Sequence, residues 1–313
     1  MFPIIPAGSE AVLPGVNDEG IFGYGYSSGI AYTTKSNLVS NTGVVASDVA
    51  SAGTSSSARM ACEYGGDKGI FGYGYCAAWD PGGNITNKVS NTGVVQSNTA
   101  GVGTGRYSGA GCNFGGDKGI FAWGSRYGPT QSMTNIVSNT GVVASDVSLP
   151  AGATAKQYLA SCEYGEDKAI LGFGNLRPGF VSTTNLISNT GVVAATVTGV
   201  GTGRYILAGC GYGGDKGIFG YGNDGSGRYS ITNHVSNTGV VASDTTGVGT
   251  PRKDLAATQY GGNKGIFGFG NASSPTYCSI TNLVSNTGSV ASDQAATTGS
   301  GREGLSACSF ASV

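Results

Sequence analysis

The string Tyr212-Gly213-Gly214-Asp215-Lys216-Gly217-Ile218-Phe219-Gly220-Tyr221-Gly222 recurs in close copies centred on Phe22, Phe71, Phe121, Leu171, Phe219 and Phe267. A second string, Asn-x-(Val/Ile)-Ser-Asn-Thr-Gly, alternates with it and ends at Gly43, Gly93, Gly141, Gly191, Gly239 and Gly288. Both step by 48–50 residues. That period belongs to propellers and solenoids, whose units bury their apolar faces only against one another.

Inside each copy the alternation has period two, with Phe219 and Tyr221 on one side and Ile218, Gly220 and Gly222 on the other, so the string reads as a β-strand. Aromatics on one face and glycine hollows on the other suit a sheet stacked between two like sheets. Each repeat then reads as four strands, represented by residues 207–212, 216–222, 230–236 and 240–243. Gly-Gly-Asp-Lys joins the first to the second and Asn-Thr-Gly the third to the fourth, both as tight turns on one rim. The links from second to third and from fourth to the next first strand fall at the opposite end. These vary in length and chemistry.

The sequence begins its first repeat at the aromatic strand (residues 20–25) and closes on an unpartnered first strand (residues 304–310). Pairing the two would remove exposed sheet edges. The expected fold is all-β: a six-bladed β-propeller of four-stranded antiparallel blades, its ring closed by the C-terminal strand joining the first blade. Residues 18–313 form that single domain. Residues 1–17, with three prolines among apolar residues, form an extended N-terminal arm.

A net charge of −1 with 11% charged residues offers no field for a phosphate backbone, so nucleic acid is not an expected partner. No export signal and no bilayer-spanning segment are read, so membrane insertion is not expected. Of seven cysteines, Cys62, Cys112, Cys162, Cys210 and Cys308 share one repeat position, where the remaining copy has Thr258. Threonine cannot pair, which argues for buried, reduced thiols used as small apolar fillers. Cys76 and Cys278 fall in loops and are the plausible reactive ones.

His234 is the only histidine and stands where other repeats have Leu38, Lys88, Ile136, Leu186 and Leu283. It reads as a tolerated exposed substitution. Histidine-based metal or nucleophile chemistry has no partners for it, and no cofactor or metal is expected. Asp18, Asp67, Asp117, Asp167 and Asp215 recur in the turn before the aromatic strand, where an Asp caps its own turn. A calcium ring there is disfavoured by the lysines that follow. Asp48, Asp146, Asp244 and Asp293 also recur, and copies of one environment do not make a catalytic acid pair.

The pattern Arg204-x-x-Leu207-Ala208-x-Cys210, then Lys216 to Gly222, then Thr232-Asn233, a turn and a return strand, resembles a kelch-type repeat over residues 18–310. It differs in having Gly-aromatic-Gly at the end of the second strand and valine or alanine on the fourth where kelch repeats carry tryptophan. The near-identity of the copies also resembles repeat proteins of tailed bacteriophages. Kelch resemblance implies that the first strand lines a central channel, so the cations at its start, Arg106, Lys156, Arg204, Arg252 and Arg302, would ring the channel mouth. They would either bind an anion or pair with neighbouring carboxylates and carbonyls.

The variable links carry Trp79, Asp80, Arg126, Tyr127, Arg177, Phe180, Asp224, Arg228, Tyr229 and Tyr277, a mixture of the kind enriched at contact hot spots. The expected function is non-enzymatic: a phage virion component, in tail or capsid, that contacts other virion proteins or a host-surface protein or glycan through this face. It could belong to a larger symmetric assembly. The alternative is a cytoplasmic kelch-like adaptor, and a propeller lyase or hydrolase is a third reading.

Overall fold

The computed structural model describes residues 18–27, 31–76, 83–294 and 299–311, and among these the chain is all-β with no helix. Each aromatic string forms the middle strand of a small antiparallel sheet. In sheet 5, Lys216–Gly220 lies between Ala208–Tyr212 and Thr232–Val235, with Phe219 opposite Gly209 and Asn233. Sheets 2, 3, 4 and 6 repeat this around Lys68–Gly72, Lys118–Ala122, Lys168–Gly172 and Lys264–Gly268. Sheet 1 joins both ends of the sequence: Ser306–Phe310 pairs with Glu19–Gly23, Ile21 opposite Cys308, as the phase of the ends predicts. Residues 1–17 lie outside the described residues.

In sheet 1 the segment expected as the fourth strand makes only the isolated bridge Val39 to Val45, and a regular strand, Val49–Ala50, pairs with Lys35–Val39 just beyond it. Elsewhere among the described residues it contracts to isolated bridges such as Val235 to Val241 and Thr232 to Thr245. A side chain interrupts the ladder there. Asn233 is fully buried, and its Nδ2 donates to Ala242 O (3.1 Å) and to Asp244 Oδ1 (2.8 Å), as Asn37 donates to Ala46 O and Asp48 Oδ1 in sheet 1, occupying a carbonyl that a regular strand would give to a backbone amide.

Neighbouring sheets pack by aromatic into hollow. A Cβ on Gly220 would lie 2.7 Å from Phe267, and one on Gly23 would lie 2.7 Å from Phe71, so glycine at these positions admits the ring of the next sheet. The series returns to its start, since Gly268 receives Phe22. Sheet 3 carries Ala122 instead of glycine, and sheet 4 answers with Leu171 instead of phenylalanine; both belong to one core cluster.

Two circuits of backbone hydrogen bonds link all six sheets. On the rim of the tight turns, Gly65 N donates to Asp117 O (2.8 Å), and the step repeats through Gly115 to Asp167, Gly165 to Asp215, Gly213 to Asn263, Gly261 to Asp18 and Ala311 to Asp67. At the opposite end, Ser108 N donates to Ala58 O, Tyr158 to Ser108, Ile206 to Tyr158, Asp254 to Ile206, Gly304 to Asp254 and Ala58 to Gly304, at 2.7–2.9 Å. All six residues of this second circuit have φ between 50° and 61°. The left-handed conformation turns each amide toward the preceding repeat.

Between the circuits the first strands line one shared cavity of about 40 Å3. The five repeat-related cysteines and Thr258 all contribute to it, and a Cβ on Gly217 would collide with Cys162 Sγ, so the slot is filled to contact. All seven cysteines are buried thiols rather than disulfides, which corrects the expectation of a reactive Cys76 and Cys278. Cys278 Sγ donates to Gly270 O. His234 is likewise not an exposed substitution: it sits half-buried at a sheet–sheet contact, its Nδ1 2.9 Å from Tyr212 Oη, its ring against Gly288 of the next sheet.

Candidate binding face

The cations expected at a channel mouth are instead fully buried, as Arg106, Lys156, Arg204, Arg252 and Arg302 all have no exposed surface. Arg204 shows why. Its Nε donates to Tyr221 O (2.7 Å), Nη1 to Thr202 O (3.1 Å) and Nη2 to Asn233 Oδ1 (2.6 Å), while the guanidinium lies 4.4 Å from the Phe173 ring of the preceding sheet. Asp244 stands 3.7 Å from Nη1 and accepts from Thr202 N and Oγ1. The recurring Asp48, Asp146, Asp244 and Asp293 are therefore the counter-ions of Arg302, Arg106, Arg204 and Arg252. These cations staple sheets together and present no charge to a ligand.

Asp67, Asp117, Asp167 and Asp215 pair with the lysine that follows each, Asp117 with Lys118 at 2.9 Å and Asp215 with Lys216 at 2.6 Å. Asp117 also accepts from Asn139 of the second turn (3.1 Å), which places both constant turns on one rim. The variable links occupy the other end.

There the structure gathers tyrosines. Ring centroids of Tyr277, Tyr26, Tyr32, Tyr75 and Tyr107 follow one another at 6.0, 5.6, 5.6 and 5.3 Å, an arc running from sheet 6 through sheets 1 and 2 to sheet 3. Tyr158 meets Tyr205, and Phe180 stacks on Tyr205 at 4.3 Å. All are half-buried, each ring held by its neighbours while part of it faces solvent.

Beside the arc lies a polar cluster. Arg228 Nη2 donates to Asn271 Oδ1 (2.6 Å), and Asn271 Nδ2 donates to Glu303 Oε2 (2.5 Å). Glu303 is bridged through its backbone to Tyr26. Burial, with the charge of Glu303 adding, pushes the Asp254 carboxyl up to about 7. Burial first, and then Glu303, raises the Tyr277 phenol. The cluster thus offers carboxylate acceptors, amide and guanidinium donors, and aromatic surface within one region.

The remaining predicted residues divide. Arg177 and Tyr127 are exposed at loop tips, and Arg126 lies 5.7 Å from the Tyr127 ring. Asp224 is spent on its own loop, accepting from Ser226 N, Gly227 N and the Tyr229 hydroxyl (2.8 Å), so Asp224 and Tyr229 act as a loop brace. Trp79 and Asp80 lie outside the described residues. The sequence reading missed Tyr26, Tyr32, Tyr75, Tyr107, Tyr158 and Tyr205, and also Asp254, Asn271 and Glu303. A signal existed for some: the residue after the buried cation is Tyr107, Gln157, Tyr205, Lys253 or Glu303, a variable position beside a near-constant one.

No protein-family model matches the chain, and no curated protein matches it.

Proposed function

We propose that the chain is a closed six-bladed β-propeller, kelch-like in its repeat, and that it serves as a non-enzymatic binding module whose tyrosine face takes a glycan. The two six-step hydrogen-bond circuits support closure, because each returns to its starting sheet. The observation that carries the binding reading is the arc from Tyr277 to Tyr107. Aromatic faces stack on the C–H surfaces of pyranose rings, and carboxylate, amide and guanidinium groups bond to hydroxyls; the face places both together.

The proposed setting is a phage particle, with a host-surface polysaccharide as ligand; the near-identity of the repeats supports it. Titration of the protein against a panel of bacterial surface polysaccharides tests the binding. Tyr32→Ala with Tyr75→Ala should weaken it by at least about tenfold, or roughly 1.4 kcal/mol, whereas Tyr127→Ala, on an isolated loop tip, should change it less than about twofold. Equal affinity of the double variant and the parent would overturn this site. Capture of a peptide with no glycan bound would replace the reading with that of a protein adaptor. Mass spectrometry of purified virions tests the setting separately.

A further inference from the structure

The groove between the outer parts of sheets 5 and 6 differs from the other five. Each groove is formed at three repeat positions: one on the third strand that meets the turn glycine of the next sheet, one in the outer segment bridged to that strand, and one just after the glycine. Between sheets 3 and 4 these are Ile136, Val147 and Val192, and between sheets 4 and 5 they are Leu186, Val197 and Val240. Between sheets 5 and 6 they are His234, Thr245 and Ser289. No other groove carries a hydrogen-bonding side chain at all three positions.

These three residues line one cavity of about 170 Å3, with Thr246, Val248 and Val290 among its other walls. Tyr212 Oη occupies His234 Nδ1 at 2.9 Å, which leaves Nε2 as the imidazole's group for a ligand. Burial holds the His234 pKa below its ordinary value, so the ring is neutral at pH 7. No carboxylate, ammonium or guanidinium group lines the cavity. The chemistry there is uncharged: hydroxyls and one imidazole for hydrogen bonds, and valine methyls for apolar contact. Sites for drug-sized ligands run to roughly 300–1,000 Å3, so this one has room for a single small ring.

We propose that this groove is a second binding site, independent of the tyrosine face, and that it takes one neutral sugar ring. A sugar presents hydroxyls to His234 Nε2, Thr245 and Ser289 while its C–H surface meets Val248 and Val290, which is the division that the walls of the groove offer.

His234 supplies the test, since the only histidine of the chain gives one set of imidazole resonances. The full-length protein is titrated in turn with glucose, galactose, mannose, rhamnose and N-acetylglucosamine, and at least one of them should shift the His234 Hε1 signal saturably. Thr245→Val with Ser289→Val introduces the residue types of Val147 and Val192 and keeps the histidine. Loss of two hydrogen-bonding groups should weaken the binding by at least about tenfold. Tyr32→Ala with Tyr75→Ala should leave it unchanged, so this site and the tyrosine face stand or fail separately. No saturable shift with any of the five sugars up to about 100 mM, a hundredfold beyond millimolar affinity, would overturn the proposal. A response confined to glucuronate or inorganic phosphate would also overturn it, by marking an anion site, and so would equal affinity of the valine variant. In the parent protein, nuclear Overhauser contacts from the bound sugar to the Val290 methyls are expected. Contacts to the tyrosine rings alone would overturn the proposal even if the valine variant failed to fold.

Discussion

The Arg59 guanidinium lies 4.2 Å from the Tyr24 ring, the same separation at which Arg106 covers Tyr73, although the two arginines occupy different repeat positions. Sheet 2 has Ser56 where the other sheets begin with a cation, and Arg59, three residues later, folds back into the gap with Nη1 3.5 Å from Ser56 Oγ. The substitute is incomplete. Asn87 Oδ1, whose counterpart Asn135 accepts from Arg106 at 2.7 Å, finds no partner among the described residues, and neither does Arg59 Nε.

Moving the arginine back should therefore stabilise the protein. Ser56→Arg with Arg59→Leu keeps the charge count, gives Asn87 a donor and places at 59 the leucine found at Leu159, Leu207, Leu255 and Leu305. An unsatisfied buried polar atom costs about 1–3 kcal/mol, and a gain of about that size is expected in urea unfolding. Unchanged or lowered stability would show that the Arg59 arrangement is already optimal.

Of the five repeat-related cations, Lys156 is the one whose network lacks a carboxylate, since Thr196 stands where the sheets of the other four have Asp. Burial pushes its pKa down to about 7. An unfolded lysine titrates near ~10.4, so between about pH 7 and 10 the unfolded chain binds more protons than the folded one. The penalty is complete below that window and is relieved as pH rises through it, so stability climbs with pH. Lys156→Met should abolish the climb, and Thr196→Asp should flatten it while adding about 1–2 kcal/mol at neutral pH. Urea midpoints from pH 6.5 to 9.5 measure both; a slope that survives in Lys156→Met would assign the effect to another group.

The Ala122–Leu171 contact replaces the glycine–phenylalanine contact of other sheet pairs, and each change compensates for the other in volume. Leu171→Phe alone should overpack against Ala122 and cost about 1–3 kcal/mol. Combined with Ala122→Gly, it should cost less than about 1 kcal/mol. A double-mutant cycle showing additivity would mean that the two side chains do not share their space.

Cys62, Cys112, Cys162, Cys210 and Cys308 are buried, and burial raises every one of their thiols, Cys112 and Cys210 to about 12. The thiolate is the reactive form. Native protein at pH 8 should therefore take up no iodoacetamide within an hour, at Cys76 and Cys278 included, and seven equivalents after denaturation. Rapid native labelling of any of the five would mean that the first strands open on that timescale.

The period, the two-residue alternation and the phase of the two ends determined the six small antiparallel sheets and the pairing of Ser306–Phe310 with Glu19–Gly23. They are legible because a strand repeats every second residue and a repeat protein states its unit six times. The burial of Arg204 and the covering of His234 were decided only by tertiary structure. The ring that covers Arg204, Phe173, and the glycine that meets His234, Gly288, each lie on a neighbouring sheet and far along the sequence, and composition cannot tell a cation facing a channel from one folded onto a ring. The tyrosine arc has the same origin. Tyr26 and Tyr75 follow the same Gly-Ile-Phe-Gly-Tyr-Gly string one repeat apart, while Tyr32 and Tyr107 come from other links, and the four become one surface only when the sheets stack and bring these link ends within a ring's width of one another.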